Sequence, residues 1–140
     1  MGKKIKGKKR HILGDTKSFP MQAIVHPAGI QDRDGGVRSM GALLGRYPCL
    51  LKLYADISCQ GPKFRGELKK VCRKTNVETF KRTDVGKFVV KPKRWVVERT
   101  IGWLDRFRRL AKNWGCLNRN ALAFLRWAAF CFMLRRLCQK

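Results

Sequence analysis

Leu50-Leu51-Lys52-Leu53-Tyr54-Ala55, followed by Asp56, is the stretch on which the fold turns. A compact apolar run bounded by an acid reads as a strand, with Asp56 at its C-terminal end. That end of a strand is where open α/β sheets commonly hold functional side chains. On its N-terminal side, Val37, Met40, Leu43 and Leu44 recur at helical spacing behind Asp32 or Asp34 as cap. They predict a helix to about Tyr47, stopped by Pro48. On its C-terminal side, residues 64 to about 73 read as a helix, and residues 77–81 and 88–90 as short strands.

Further out, residues 2–10 are a Lys/Gly/Arg run, expected as a flexible, phosphate-seeking lead-in. His11-Ile12-Leu13 and Met21-Gln22-Ala23-Ile24-Val25 flank a polar turn, Asp15-Thr16-Lys17-Ser18, and predict a β-hairpin that Pro27 ends. Residues 94 to about 114 are helical in pattern. Val97, Ile101, Leu104 and Leu110 form an apolar stripe there, and Glu98 and Asp105 share another face. Gly115 is the expected stop, and a last helix spans about 120 to 137 within a C-terminal segment, 115–140. The order β-β-α-β-α-β-α-α indicates an α/β fold with a mixed sheet and flanking helices, in one domain spanning residues 1–140.

Lys and Arg number 33 against 9 acids, a net charge of +24, which calls for a polyanionic partner. An apolar fraction of 44% excludes a disordered basic tail. A folded domain so basic points first to nucleic acid and second to an anionic membrane surface; a merely soluble basic protein is the plain alternative. The six cysteines are irregularly spaced with no C-x-x-C pair, and His11 and His26 lie far from them, so no zinc site is expected. Met1-Gly2-Lys3-Lys4 has no apolar stretch behind it, so the chain reads as reduced and cytoplasmic, without a signal peptide. Residues 121–134 are apolar but interrupted by Arg126 and short of the roughly 20 residues a spanning helix needs. They read as a core helix, and no membrane partner is expected.

With so few carboxylates each can be weighed. Asp56 and Glu98, brought together in a basic cleft, could hold Mg2+, which prefers oxygen ligands and bridges to phosphate. Two such ions can activate an attacking oxygen and stabilise a leaving one in phosphodiester chemistry. From spacing alone the plainer reading is favoured: Asp56 caps a turn and Glu98 pairs with Arg94 or Arg99. Arg94, Arg99, Arg106, Arg108 and Arg109 could contact phosphates, or form a solvated face with some paired to Asp105. Trp95, Trp103, Trp127, Phe130 and Phe132 are expected in the core rather than as base-stacking platforms.

Three stretches shift that balance. They are residues 2–13 with Asp15-Thr16; Val25-His26-Pro27-Ala28 with Gln31-Asp32-Arg33-Asp34-Gly35; and Pro92-Lys93-Arg94-Trp95-Val96-Val97-Glu98-Arg99-Thr100 running on through Trp103-Leu104 to Leu110. In this order, over nearly the whole chain, they resemble the DDE-type transposases of bacterial insertion sequences, which have an RNase H-like catalytic core. The resemblance implies a three-carboxylate site with two magnesium ions that cuts and joins DNA at the element's inverted repeats. Ala55-Asp56, with Gln60-Gly61-Pro62-Lys63-Phe64 beyond it, matches the segment of the family's second aspartate. Trp95-Val96-Val97-Glu98-Arg99-Thr100 matches that of the glutamate, and Arg94 fits the arginine one turn earlier.

The resemblance therefore implies Asp56 and Glu98 as catalytic, metal-holding residues, with Lys93, Arg94, Arg99, Arg106 and Arg109 on double-stranded DNA. Departures exist. Lys91 and Asp105 stand where the family has tyrosine and lysine, and Ile57-Ser58-Cys59 replaces small glycines and an aromatic residue. The family's first aspartate belongs to a strand before the Gly-Lys-Lys-Ile-Lys-Gly segment at which this chain begins. The expectation is an N-terminally truncated catalytic domain, inactive alone, acting with a missing N-terminal half or another transposase copy in the bacterial nucleoid. The alternative is a non-catalytic basic DNA-binding protein, such as a transposition inhibitor or a decayed remnant.

Overall fold

The computed structural model describes residues 7–43, 46–47, 50–55, 59, 61–79, 94–112 and 116–139. They form a mixed α/β chain of two compact units, Met1–Ile30 with Trp95–Lys140, and Gln31–Arg94.

The first unit begins with the predicted hairpin, β1 (Lys8–Gly14) and β2 (Pro20–Pro27), paired antiparallel with a register shift between Leu13 and Gly14. The strand starts earlier than the charge pattern suggests. Lys8, Lys9 and Arg10 belong to the ladder, opposite Pro27, His26 and Val25. The cationic ends of Lys9 and Arg10 meet backbone carbonyls: Lys9 Nζ donates to Ile30 O at 3.0 Å, and Arg10 Nη1 to Leu110 O at 2.6 Å. The turn is built by Asp15, whose Oδ1 accepts from the amides of Lys17 and Phe19. This is the local bonding that makes aspartate a turn former. Alternation puts Ile12, Ala23 and Val25 on one face.

Helices α3 (Arg94–Asp105), α4 (Arg108–Ala111) and α5 (Asn118–Cys138) complete this unit. Its core is Ala23, Leu104, Leu110, Leu125, Ala128 and Ala129, with Ile12, Val25, Phe107 and Leu122 packed around it. The expected single helix from residue 94 to 114 is broken, because Phe107 is extended (φ −81°, ψ 107°). Six residues at about 100° each would put Leu110 roughly 120° from Leu104 around an unbroken helix. The break lets both reach the core, where each is 3% exposed. The predicted stripe also divides, since Val97 and Ile101 are exposed while Thr100 and Leu104 are buried. In α5, Ala121, Leu125, Ala128 and Ala129 make the buried stripe. Trp127 and Phe130, expected in the core, stand on the opposite face and are exposed, as is Trp95 of α3. Phe132 is half-buried, 4.5 Å from the Trp103 ring.

The second unit holds α1 (Asp32–Leu43), β3 (Lys52–Ala55), α2 (Pro62–Val71) and β4 (Asn76–Thr79). The strands pair in parallel, so α2 is the crossover of a βαβ segment. Lys52 bonds to the carboxylate of Glu78, which raises its ammonium pKa above the usual lysine value. Helix α1 packs on α2, with Met40, Leu43, Phe64 and Leu68 buried. Gly36 permits this approach: a Cβ there would come within 3.2 Å of Cε2 of Phe64. Among the described residues the strands pair as two separate two-stranded sheets rather than one mixed sheet. The expected strand at 88–90, the stops at Pro48 and Gly115, and most of the lead-in lie outside the described residues. No helix among the described residues is long and apolar enough to cross a membrane.

Candidate functional site

Helix α3 carries the segment Trp95-Val96-Val97-Glu98-Arg99-Thr100. Its buried side is fixed to the hairpin turn about 80 residues earlier. Thr100 Oγ1 lies 3.2 Å from Ser18 O and 2.9 Å from Val96 O, its own turn's carbonyl. Ser18 Oγ donates to Val96 O at 3.2 Å and accepts from Arg99 Nε at 2.9 Å. Arg99 Nη2 reaches Lys17 O at 3.2 Å. Ser18 has no exposed surface and a φ of +72°, a conformation non-glycine residues seldom adopt. Thr100 is 5% exposed. These buried polar groups are therefore mutually satisfied, as burial requires.

Arg99 is held further by aromatic rings. Its guanidinium carbon stands 4.1 Å from the Trp95 centroid and 4.8 Å from that of Trp103. Arg136 lies over Trp103 as well, at 4.4 Å. Such contacts contribute about 0.5–1 kcal/mol each at exposed sites. Together they orient α3 so that Glu98 is exposed, on the side away from Thr100. Arg94 is the first residue of the helix, one turn before Glu98.

Of the residues singled out from the sequence, Glu98, Arg99, Arg106 and Arg109 are described in the first unit. Arg106 and Arg109 are exposed around the α3–α4 break, with Arg109 over the Phe124 ring at 5.5 Å. Asp56 and Lys93 lie outside the described residues. Among the described residues no group of three His, Cys, Asp or Glu side chains could hold a metal ion. Of the two carboxylates singled out from the sequence, Asp56 and Glu98, Glu98 is the one that lies among the described residues. Ser18 and the hydroxyl of Thr100 were not singled out from the sequence. The signal available was a polar turn residue and a polar helix residue whose pairing only the fold reveals.

The α/β chain with an exposed glutamate on this helix belongs to the transposase DDE-domain family, whose model matches residues 1–134. A relative in Burkholderia cepacia, named as a transposase for insertion sequence element IS402, is 32% identical over 118 residues. The match covers 74% of this chain and 52% of that protein, so the chain spans about half the length of the curated relative. No solved structure matches.

Proposed function

We propose that this chain is part of an RNase H-like transposase catalytic domain acting on the ends of an insertion sequence. Asp56 and Glu98 would be two carboxylates of its site. The observation that supports this best is the Glu98 segment itself. The segment lies within the family match over residues 1–134 and sits on a helix pinned to the hairpin turn, with the glutamate left exposed. Magnesium bound by Asp56 and Glu98 would supply the charge that activates a water and stabilises the leaving oxygen in phosphodiester cleavage.

The chain's own residues supply the rest. Lys93, Arg94, Arg106 and Arg109 would hold DNA phosphates beside the site, each neutralised phosphate adding about one unit to the salt slope of binding. Arg99 is proposed with them, although its contacts to Ser18, Trp95 and Trp103 also make it a support for the helix. Double-stranded inverted repeats and target DNA are the proposed partners, in a bacterial nucleoid, with another part of the enzyme or another copy of it.

Two carboxylates hold a divalent cation weakly, so the 140 residues alone are expected to bind element ends without cutting them. The test incubates the purified chain with an inverted-repeat duplex and Mg2+. Retarded but intact DNA is expected. Metal-dependent nicking that disappears in Asp56→Ala would overturn the expectation of inactivity. The reading as a non-catalytic binder of element ends rests on the +24 charge and predicts binding that Asp56→Ala and Glu98→Gln leave unchanged.

A further inference from the structure

Between α4 and α5 the surface forms a groove of about 460 Å³. Arg106, Arg108, Arg109 and Arg135 line it together with Phe124 and Trp127, and among the described residues no carboxylate does. Its floor includes the buried Leu110 and Ala128. The two aromatic rings are open to solvent, Trp127 at 66% and Phe124 at 40%. Guanidinium groups stand close to aromatic faces: Arg109 is 5.5 Å from the Phe124 centroid and Arg135 5.8 Å from that of Phe107.

Each half of this composition excludes a simple ligand. Four like charges, with no acid among the described lining residues, select against an ordinary apolar protein surface, since a partner must desolvate them. A purely phosphate-binding face, as used on duplex DNA, has no need of exposed indole and phenyl rings. In a duplex the faces of the bases are already stacked on one another. An unpaired strand offers both parts, free base faces for the rings and phosphates for the arginines. We propose that the α4–α5 groove binds an unpaired nucleotide strand, with Trp127 and Phe124 as stacking platforms and the four arginines on its phosphates. This rests on the nucleic-acid reading above and adds to it the strandedness of the ligand and the residues that read it.

The test is a fluorescence titration of the full chain at fixed salt. The probes are an oligothymidylate of about 12 nucleotides, the matching oligouridylate, and a duplex of equal length. Stacking on Trp127 should quench indole fluorescence on binding either strand. Trp127→Ala should remove most of that quenching and weaken strand binding about tenfold. Duplex binding should change by less than about twofold, because phosphate contacts do not involve the ring. Trp127 is exposed, so an unchanged circular dichroism spectrum is expected for the variant. Equal affinity for the two strands identifies an unpaired strand of either sugar as the ligand, and a preference for one identifies which.

An equal loss on strand and duplex, or none on either, would overturn the groove assignment while leaving the nucleic-acid reading in place. Polyglutamate bound as tightly as the strands and as dependent on Trp127 would overturn it in favour of an acidic protein partner. No binding to any nucleic acid would remove the nucleic-acid reading with it.

Discussion

Thr100 and Ser18 concentrate the strain and the polarity of the first unit. Ser18 is buried with a positive φ, and its carbonyl and hydroxyl face the helix that carries Glu98. Removing the Thr100 hydroxyl leaves a buried carbonyl short of a donor. Thr100→Val is therefore expected to cost about 1–3 kcal/mol, and Thr100→Ser, which keeps the hydroxyl, clearly less. Urea denaturation checks this, and a Thr100→Val chain as stable as the parent would refute it. At this scale the sequence singled out Glu98 and Arg94 as candidates, because they lie within one short motif, and gave the Thr100 hydroxyl no role. It was silent about Ser18, because no local pattern links a turn residue to a helix residue 82 positions away. The strand expected before Asp56 is present as Lys52–Ala55, while Asp56 itself lies outside the described residues.

Among the elements, the hairpin and the βαβ segment were readable because turn residues and short apolar runs announce them. The faces of α3 and α5 were not. Apolar residues surround both helices, so periodicity offers more than one stripe and tertiary packing chooses. In α3 the bonds to Ser18 bring the Thr100 side inward and leave Val97 and Ile101 out. In α5 the small residues Ala121, Ala128 and Ala129 admit the hairpin, and the large Trp127 and Phe130 are left outside. This assignment of faces predicts a contrast. Leu125→Ala should destabilise the chain by about 2–5 kcal/mol, while Trp127→Ala should stay within about 0.5 kcal/mol. Equal losses in thermal or urea denaturation would mean that the buried face has been misassigned. The break at Phe107 was equally hidden, since nothing in the run of residues around it forbids a helix. Its cause is the common burial of Leu104 and Leu110.

For the whole molecule, composition supports the proposed partner class, because a charge of +24 on a folded chain has few uses besides a polyanion. Family membership rests on a match over residues 1–134 and agrees with what the sequence motifs implied. The central claim is that Asp56 and Glu98 serve one transposase site. It is tested most directly by excision of a marked insertion sequence in cells. The chain would be expressed joined to the N-terminal half of a family transposase. Excision should occur, fall at least about a hundredfold with Glu98→Gln or Asp56→Asn, and persist with Glu78→Gln. Full excision by either the Glu98→Gln or the Asp56→Asn chain would contradict the claim.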